Sequence, residues 1–109
     1  MYILILEDSQ DRIDIFKELF KSHTLFITDK VDEAIKACQD VKWDIMLLDH
    51  DLDGRIFVNS REENTGYQFV KRLVETDFQK EALCYVHSMN PVGGNQMINL
   101  MHDYGRSAV

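Results

Sequence analysis

Residues 43–60 read WDIMLLDHDLDGRIFVNS, and the fold turns on how this stretch is divided. Asp49, Asp51 and Asp53 fall at the first, third and fifth positions of a calcium-binding EF-hand loop, with Gly54 at the sixth and Ile56 at the eighth. Such a loop needs a helix before it and a bidentate glutamate at its twelfth position. Here the twelfth residue is Ser60, and WDIMLL has the character of a buried strand. The acidic cluster therefore reads as the carboxyl end of a strand, followed by a long polar loop.

Working outward, the same logic divides the rest of the chain. Tyr2–Leu6 (YILIL) is a continuous apolar run, as expected of a strand covered on both faces. Ile13, Phe16, Leu19 and Phe20 recur at helical spacing, which predicts an amphipathic helix from Ser9 or Gln10 to about Ser22, capped by Asp8 or Ser9. TLFIT (24–28) is a second strand. Val31, Ala34, Ile35 and Cys38 mark a second helix, capped by Thr28 or Asp29. After the 43–48 strand and its loop, Thr65 caps a third helix with Phe69, Val70, Leu73 and Val74 inward. ALCYV (82–86) is a fourth strand. Asn90-Pro91 is a cap with a first-turn proline, opening a helix with Met97, Ile98 and Met101 that ends near Gly105. Ser107–Val109 (SAV) has the character of a short or incomplete fifth strand.

Regular alternation of strand and helix predicts one α/β domain over residues 1–109, a three-layer, doubly wound parallel sheet. Right-handed crossovers can cover both faces only if the strand order reverses, and ligands bind at carboxyl strand ends beside that reversal. Hydrophobic residues at 45% and charged residues at 28% suit a packed domain and disfavour disorder. There is no apolar run of about 18 residues to span a membrane. The N-terminus lacks the basic start and long apolar core of a secretory signal. Cys38 and Cys84 lie in apolar patterns and read as buried, reduced thiols, consistent with a cytoplasmic protein. A net charge of −7 disfavours tracking along a nucleic-acid backbone, but not gripping one terminal phosphate through a metal ion.

The strand ends collect the chemistry. The first ends in Glu7-Asp8, the third in Asp49-His50-Asp51 and the fourth in His87-Ser88. If the first and third strands are neighbours, several carboxylates converge with no basic residue beside them in sequence. One must then take up a proton or a cation must be present. Oxygen ligands on an open edge suit Mg²⁺ or Mn²⁺, with Glu7, Asp8, Asp49 and Asp51 as candidates. His50 and His87 flank the cluster, and nearby negative charge would bring them into the range of acid–base work.

At these residues the chain resembles the receiver domains of bacterial signalling, a flavodoxin-like fold. ILILEDSQDRIDIFKELF is similar to their first strand, acidic pair and first helix. WDIMLLDHDL is similar to the strand ending in the phospho-accepting aspartate, here Asp49. Gly66 resembles the glycine opening their third helix, and Ser88 stands where they keep Thr or Ser. The chain departs from the pattern in its expanded HDLDGRIFVNSREENT loop and in having no lysine after Lys80. LDHDL, NTG and HSMNP…YG are more similar to a divergent branch, the cyclic-phosphate-processing receiver-like domains.

That resemblance implies a metal-dependent site for 2′,3′-cyclic phosphate ends of RNA, in RNA repair and in phage or mobile systems. Asp49 and Asp8 would hold the ion, and His50 and His87 would act as base and acid. Ser88 or the N–H groups of Asn90–Gly94 would hold phosphate oxygens, and Arg55 or Arg61 would reach the substrate from a loop acting as a lid. Two other readings stay open. One is a switch in which a partner histidine kinase phosphorylates Asp49 with Mg²⁺ bound; the other is an inactive binding module.

Overall fold

The computed structural model describes residues 1–109. Four strands, β1 (Tyr2–Leu6), β2 (Thr24–Thr28), β3 (Ile45–Leu48) and β4 (Leu83–Val86), form a parallel sheet in the order β2-β1-β3-β4. The reversal falls between β1 and β3, as the alternation requires. The helices are α1 (Gln10–Leu19), α2 (Val31–Asp40), α3 (Gly66–Val74) and α4 (Pro91–Asp103).

Alternating strand residues separate the two faces. Leu4, Leu6, Met46, Leu48 and Cys84 join the core built under α2, α3 and α4. Ile3, Ile5 and Leu47 face the other way, with Phe16 of α1 and Phe20 just after it packed on them. α1 is the lone helix on that side and has no fully buried residue; Leu19, expected inward, is exposed. Ala108 pairs with Cys84 as a single parallel bridge, so Ser107–Val109 runs beside β4. Arg106, just before it, is buried and donates to the carbonyls of Leu73, Thr76 and Phe78, fastening this segment to the end of α3.

Two caps are as expected. Thr65 Oγ1 accepts from Gln68 N, and Asn90 Oδ1 accepts from Gly93 N. Two are not. Ser9 begins α1 without a side-chain bond, because the Asp8 carboxylate is turned to the Gly54 N–H. At α2, Thr28 Oγ1 accepts from Lys30 N, and the Val31 N–H is capped from 33 residues away by Asn64 Oδ1 (2.9 Å). No helix is long and apolar enough to cross a membrane.

Candidate functional site

Parallel pairing in register brings Leu6 beside Leu48 and Leu48 beside Val86, so the residues after these strands meet at one edge. Glu7 is wholly buried at its centre. Glu7 Oε2 accepts from the N–H groups of Asp8 (3.0 Å) and Ser9 (3.1 Å), and His87 Nε2 lies 3.0 Å from Oε1. Arg12, in the first turn of α1, leans over the strand ends. Its Nη2 donates to Glu7 Oε2 and to Asp49 Oδ2, each at 3.2 Å, and its Nε sits 2.7 Å from Glu7 Oε1 without the N–H aligned on it.

Sequence reasoning missed this cation. Arg12 is 37 residues from Asp49, and the available signal was its place in the first turn of a helix that starts at the acidic strand end.

Electrostatics divides the two carboxyls. Burial works to raise Glu7, but bonds from His87, the Ser9 N–H and Arg12 outweigh it and pull it down to about 2. Asp49, 2% exposed, is pushed up to about 7 by burial and then by the neighbouring Glu7 charge, with Arg12 opposing. Asp8 is also raised, chiefly by burial. The edge thus holds an ionised carboxylate, a guanidinium and a carboxyl that titrates close to neutrality.

Asp8, Ser9, Arg12, Asp49, Asp51, Gly54, Arg55, Ile56 and Met89 wall a cleft of about 240 Å³ over Asp49. Arg55 is there as expected; Arg61 instead lines a separate cleft with Lys71 and Asn99. For a divalent ion, ligand atoms of Glu7, Asp49 and His87 lie within 4.8 Å of one another. His87 meets the carboxylates through Nε2, 3.0 Å from Glu7 Oε1, while its Nδ1 is buried with no partner. Two carboxylates and an imidazole fit a divalent transition ion such as Mn²⁺ better than Mg²⁺, which favours oxygen. Asp8 reaches the same region through the cleft.

Asp51 also lines the cleft, but both its oxygens are engaged by the loop and by Asn90 and His50. Its Oδ1 accepts from Val58 N and Asn90 Nδ2 and meets His50 Nδ1, and its Oδ2 accepts from Phe57 N. Those bonds hold it well ionised despite the opposing effect of burial.

His50 points away from the cleft over Asp49. It is 0% exposed, with Nδ1 2.8 Å from Asp51 and Nε2 2.9 Å from Ser60 Oγ, which in turn bonds Gln96 Oε1. It faces the α4 side because it continues the alternation Met46, Leu48, His50, a pattern legible in the sequence. There it fastens the 51–60 segment and cannot touch a substrate over Asp49.

Ser88 Oγ accepts from Asn90 N, and the N–H groups of Gly93 and Gly94 are engaged by Asn90, so these three N–H groups are not free to meet a phosphate. Nor is the long loop a free flap. Asp8, Asp51, His50, Asn64 and Gln68 all hold it.

A parallel sheet with an aspartate at the end of β3, an acidic pair after β1 and this helix order defines a receiver domain. The chain belongs to the family described as "Cyclic-phosphate processing Receiver domain", whose model matches residues 2–103. A search of curated proteins found no match.

Among solved structures it is similar to a CheY-like response regulator receiver domain from Methylobacillus flagellatus. Identity is 21% and the TM-score 0.68, covering 92% of this chain and 80% of that one. A sensor protein from Polaromonas sp. JS666 gives 16% identity and a TM-score of 0.72, over 98% and 79% of the two chains. Chemotaxis protein CheY4 of Vibrio cholerae gives 14% and 0.66, over 98% and 82%. At these identities the likeness is one of fold.

Proposed function

We propose that this domain is a metal-assisted phosphoesterase that opens 2′,3′-cyclic phosphate ends of RNA, as the family's description suggests. The observation that carries the reading is the cleft in which Arg12 stands on Asp49 with Asp8 opposite. Arg12 and Arg55 meet the phosphate oxygens. Water attacks phosphorus, the bond to one ribose oxygen breaks, and that oxygen takes a proton. Solvent supplies it, and the Asp8 carboxylate takes the proton from the attacking water. Glu7 and His87 hold Arg12 and Asp49 in place from below.

The cleft walls and Glu7 carry two more carboxylates than guanidinium groups, so an anionic substrate needs further positive charge. Mg²⁺ or Mn²⁺, held by Asp49 with Asp8 or with Glu7 and His87, would neutralise phosphate and make its water more acidic. Cys38 and Cys84 are free and buried, with burial pushing them up to about 12 and about 11, which suits a reducing cytoplasm.

The test is to incubate the protein with Mg²⁺ or Mn²⁺ and an RNA ending in a 2′,3′-cyclic phosphate, then weigh the end. A gain of one water that disappears in Asp49→Asn and Arg12→Gln is expected; an unchanged end with both ions rejects the reading. The second reading, phosphorylation of Asp49 by a histidine kinase, is supported by the receiver fold and the position of Asp49 after β3. The ion pair with Arg12 and the absence of a lysine beyond Lys80 weigh against it.

A further inference from the structure

We infer that the mouth of the acidic cleft is a nucleoside-binding rim, which makes the substrate a single terminal nucleotide held by its base as well as its phosphate. The identity of the phosphate partner rests on the function proposed above; the rim rests on separate observations. Four large apolar side chains stand in solvent there: Ile56 (79% exposed), Phe57 (72%), Met89 (79%) and Val92 (68%). They form two facing pairs, one on the 51–64 loop and one at the start of α4. Ile56 and Met89 wall the cleft over Asp49, and Phe57 and Val92 wall a neighbouring cleft of about 330 Å³.

The exposure of Phe57 is built in. Its φ of 52° is left-handed, a conformation costly for a bulky residue, and a plain turn would use Gly or Asn. Asp51 Oδ2 holds its N–H at 2.6 Å, and the next residue, Val58, is buried. The fold thus fixes an aromatic ring outward instead of letting it collapse onto the core.

The chemistry of the surroundings selects the occupant. Arg12 and Arg55 call for an anionic end, and the rim calls for a flat apolar body beside it. Asn59 and Gln96 line the second cleft and bear amides suited to base edges. The cleft of about 330 Å³ lies at the lower end of the range for small-ligand pockets, roughly 300–1,000 Å³, and the one of about 240 Å³ falls just below it. With a net charge of −7 the domain has no surplus of cations to follow a polynucleotide backbone. A nucleotide satisfies all of these at once, and stacking on its base tolerates any sequence.

Three probes separate the rim from the reaction: adenosine, adenosine 2′,3′-cyclic phosphate, and the 2′,3′-cyclic phosphate of 1-methoxyribose, which has no base. Binding is read by calorimetry and by NMR shifts at residues 56–58 and 89–92. Adenosine is expected to bind weakly at the rim, and the nucleotide at least about tenfold tighter than its baseless counterpart. Phe57→Ala weakens the nucleotide about tenfold and Val92→Ala weakens it less, neither changing the baseless ligand, and Phe57→Tyr restores wild-type affinity. If the baseless ligand binds and opens as well as the nucleotide, with both alanine variants indifferent, the rim is overturned and the phosphoesterase stands. If adenosine binds in a Phe57-dependent way while no cyclic phosphate opens, the rim stands and the reaction is rejected. A surface that shifts with none of the three probes overturns the inference.

Discussion

Arg12 Nη2 lies 3.2 Å from both Asp49 Oδ2 and Glu7 Oε2, so the chain's own cation bridges the two carboxyls that a metal ion would be expected to join. A receiver-like acidic edge is thereby neutralised in part from within. Any ion using both Glu7 and Asp49 must displace the guanidinium or share them with it.

Removing that cation is the first test. Arg12→Gln leaves Glu7 and Asp49 buried and facing each other without a countercharge. The loss is expected to be about 1–3 kcal/mol, below the range for a fully buried pair because the Arg12 side chain is 33% exposed to screening solvent. Millimolar Mn²⁺ should raise the melting temperature of this variant more than that of the wild type, since a ligand of the native state stabilises by mass action. Equal metal responses in the two proteins would mean that Arg12 does not occupy the ion's place.

The pH dependence has a definite sign. Asp49 titrates near 7 in the folded chain against 3.8 ordinarily, so between those values the folded state binds more protons than the unfolded one. Stability from this group falls as pH rises from about 4 to about 7 and is level above. Glu7 works oppositely: its contribution is complete above 4.5 and is lost as pH falls toward about 2. Asp49→Asn, free of the first effect, should exceed the wild type by about 1–3 kcal/mol at pH 8 without metal, with the gap closing toward pH 4. Urea unfolding at the two pH values decides it; a constant gap would remove Asp49 as its source.

His50 should behave as a fastening of the loop. His50→Ala strips partners from Asp51 and Ser60 and opens a cavity, for a loss of about 2–4 kcal/mol and new protease cuts within 51–60. Its ring also explains two adjacent glycines. A Cβ on Gly93 would sit 2.5–2.7 Å from His50 ring atoms, while one on Gly94 meets nothing closer than 3.5 Å. Gly93→Ala should therefore be severely destabilising. Gly94→Ala should be neutral or gain up to about 1 kcal/mol from helix propensity. Similar melting points for the two variants would contradict this packing.

Acetyl phosphate with Mg²⁺ should leave little stable adduct on Asp49. Arg12 already engages Oδ2, the His50 N–H engages Oδ1, and no lysine follows residue 80 to hold the phosphoryl group. Intact-mass measurement reads the result. One full equivalent of phosphoryl, absent in Asp49→Asn, would put the switch ahead of the esterase.

What was legible in the sequence was local. The apolar runs of β1 and β3 and the Thr65 and Asn90 caps depend on neighbours in the chain, and periodicity reports those. The juxtaposition of Glu7 and Asp49 followed from strand order, because crossover handedness leaves few alternatives. Side-chain pairings across the fold were not legible: Arg12 with Asp49, Asn64 with Val31, Glu7 with His87 across 80 residues. Residue type supplies each partner's chemistry but not its direction. Asp51 therefore read as a metal ligand and His50 as a catalytic group, whereas their side chains bond the loop.

The Asn64 side chain caps α2 at Val31, and its amide also meets the Asp29 carbonyl and Asp53, which Lys30 holds in turn. The long segment after β3 and the amino end of α2 are consequently one transplantable unit. Moving residues 50–65 alone into an ordinary receiver would strand Asn64 opposite a foreign helix. Moving them together with residues 28–32 carries the matching docking surface along. Cutting the segment to ordinary receiver length in this chain would leave α2 to begin with an uncapped N–H.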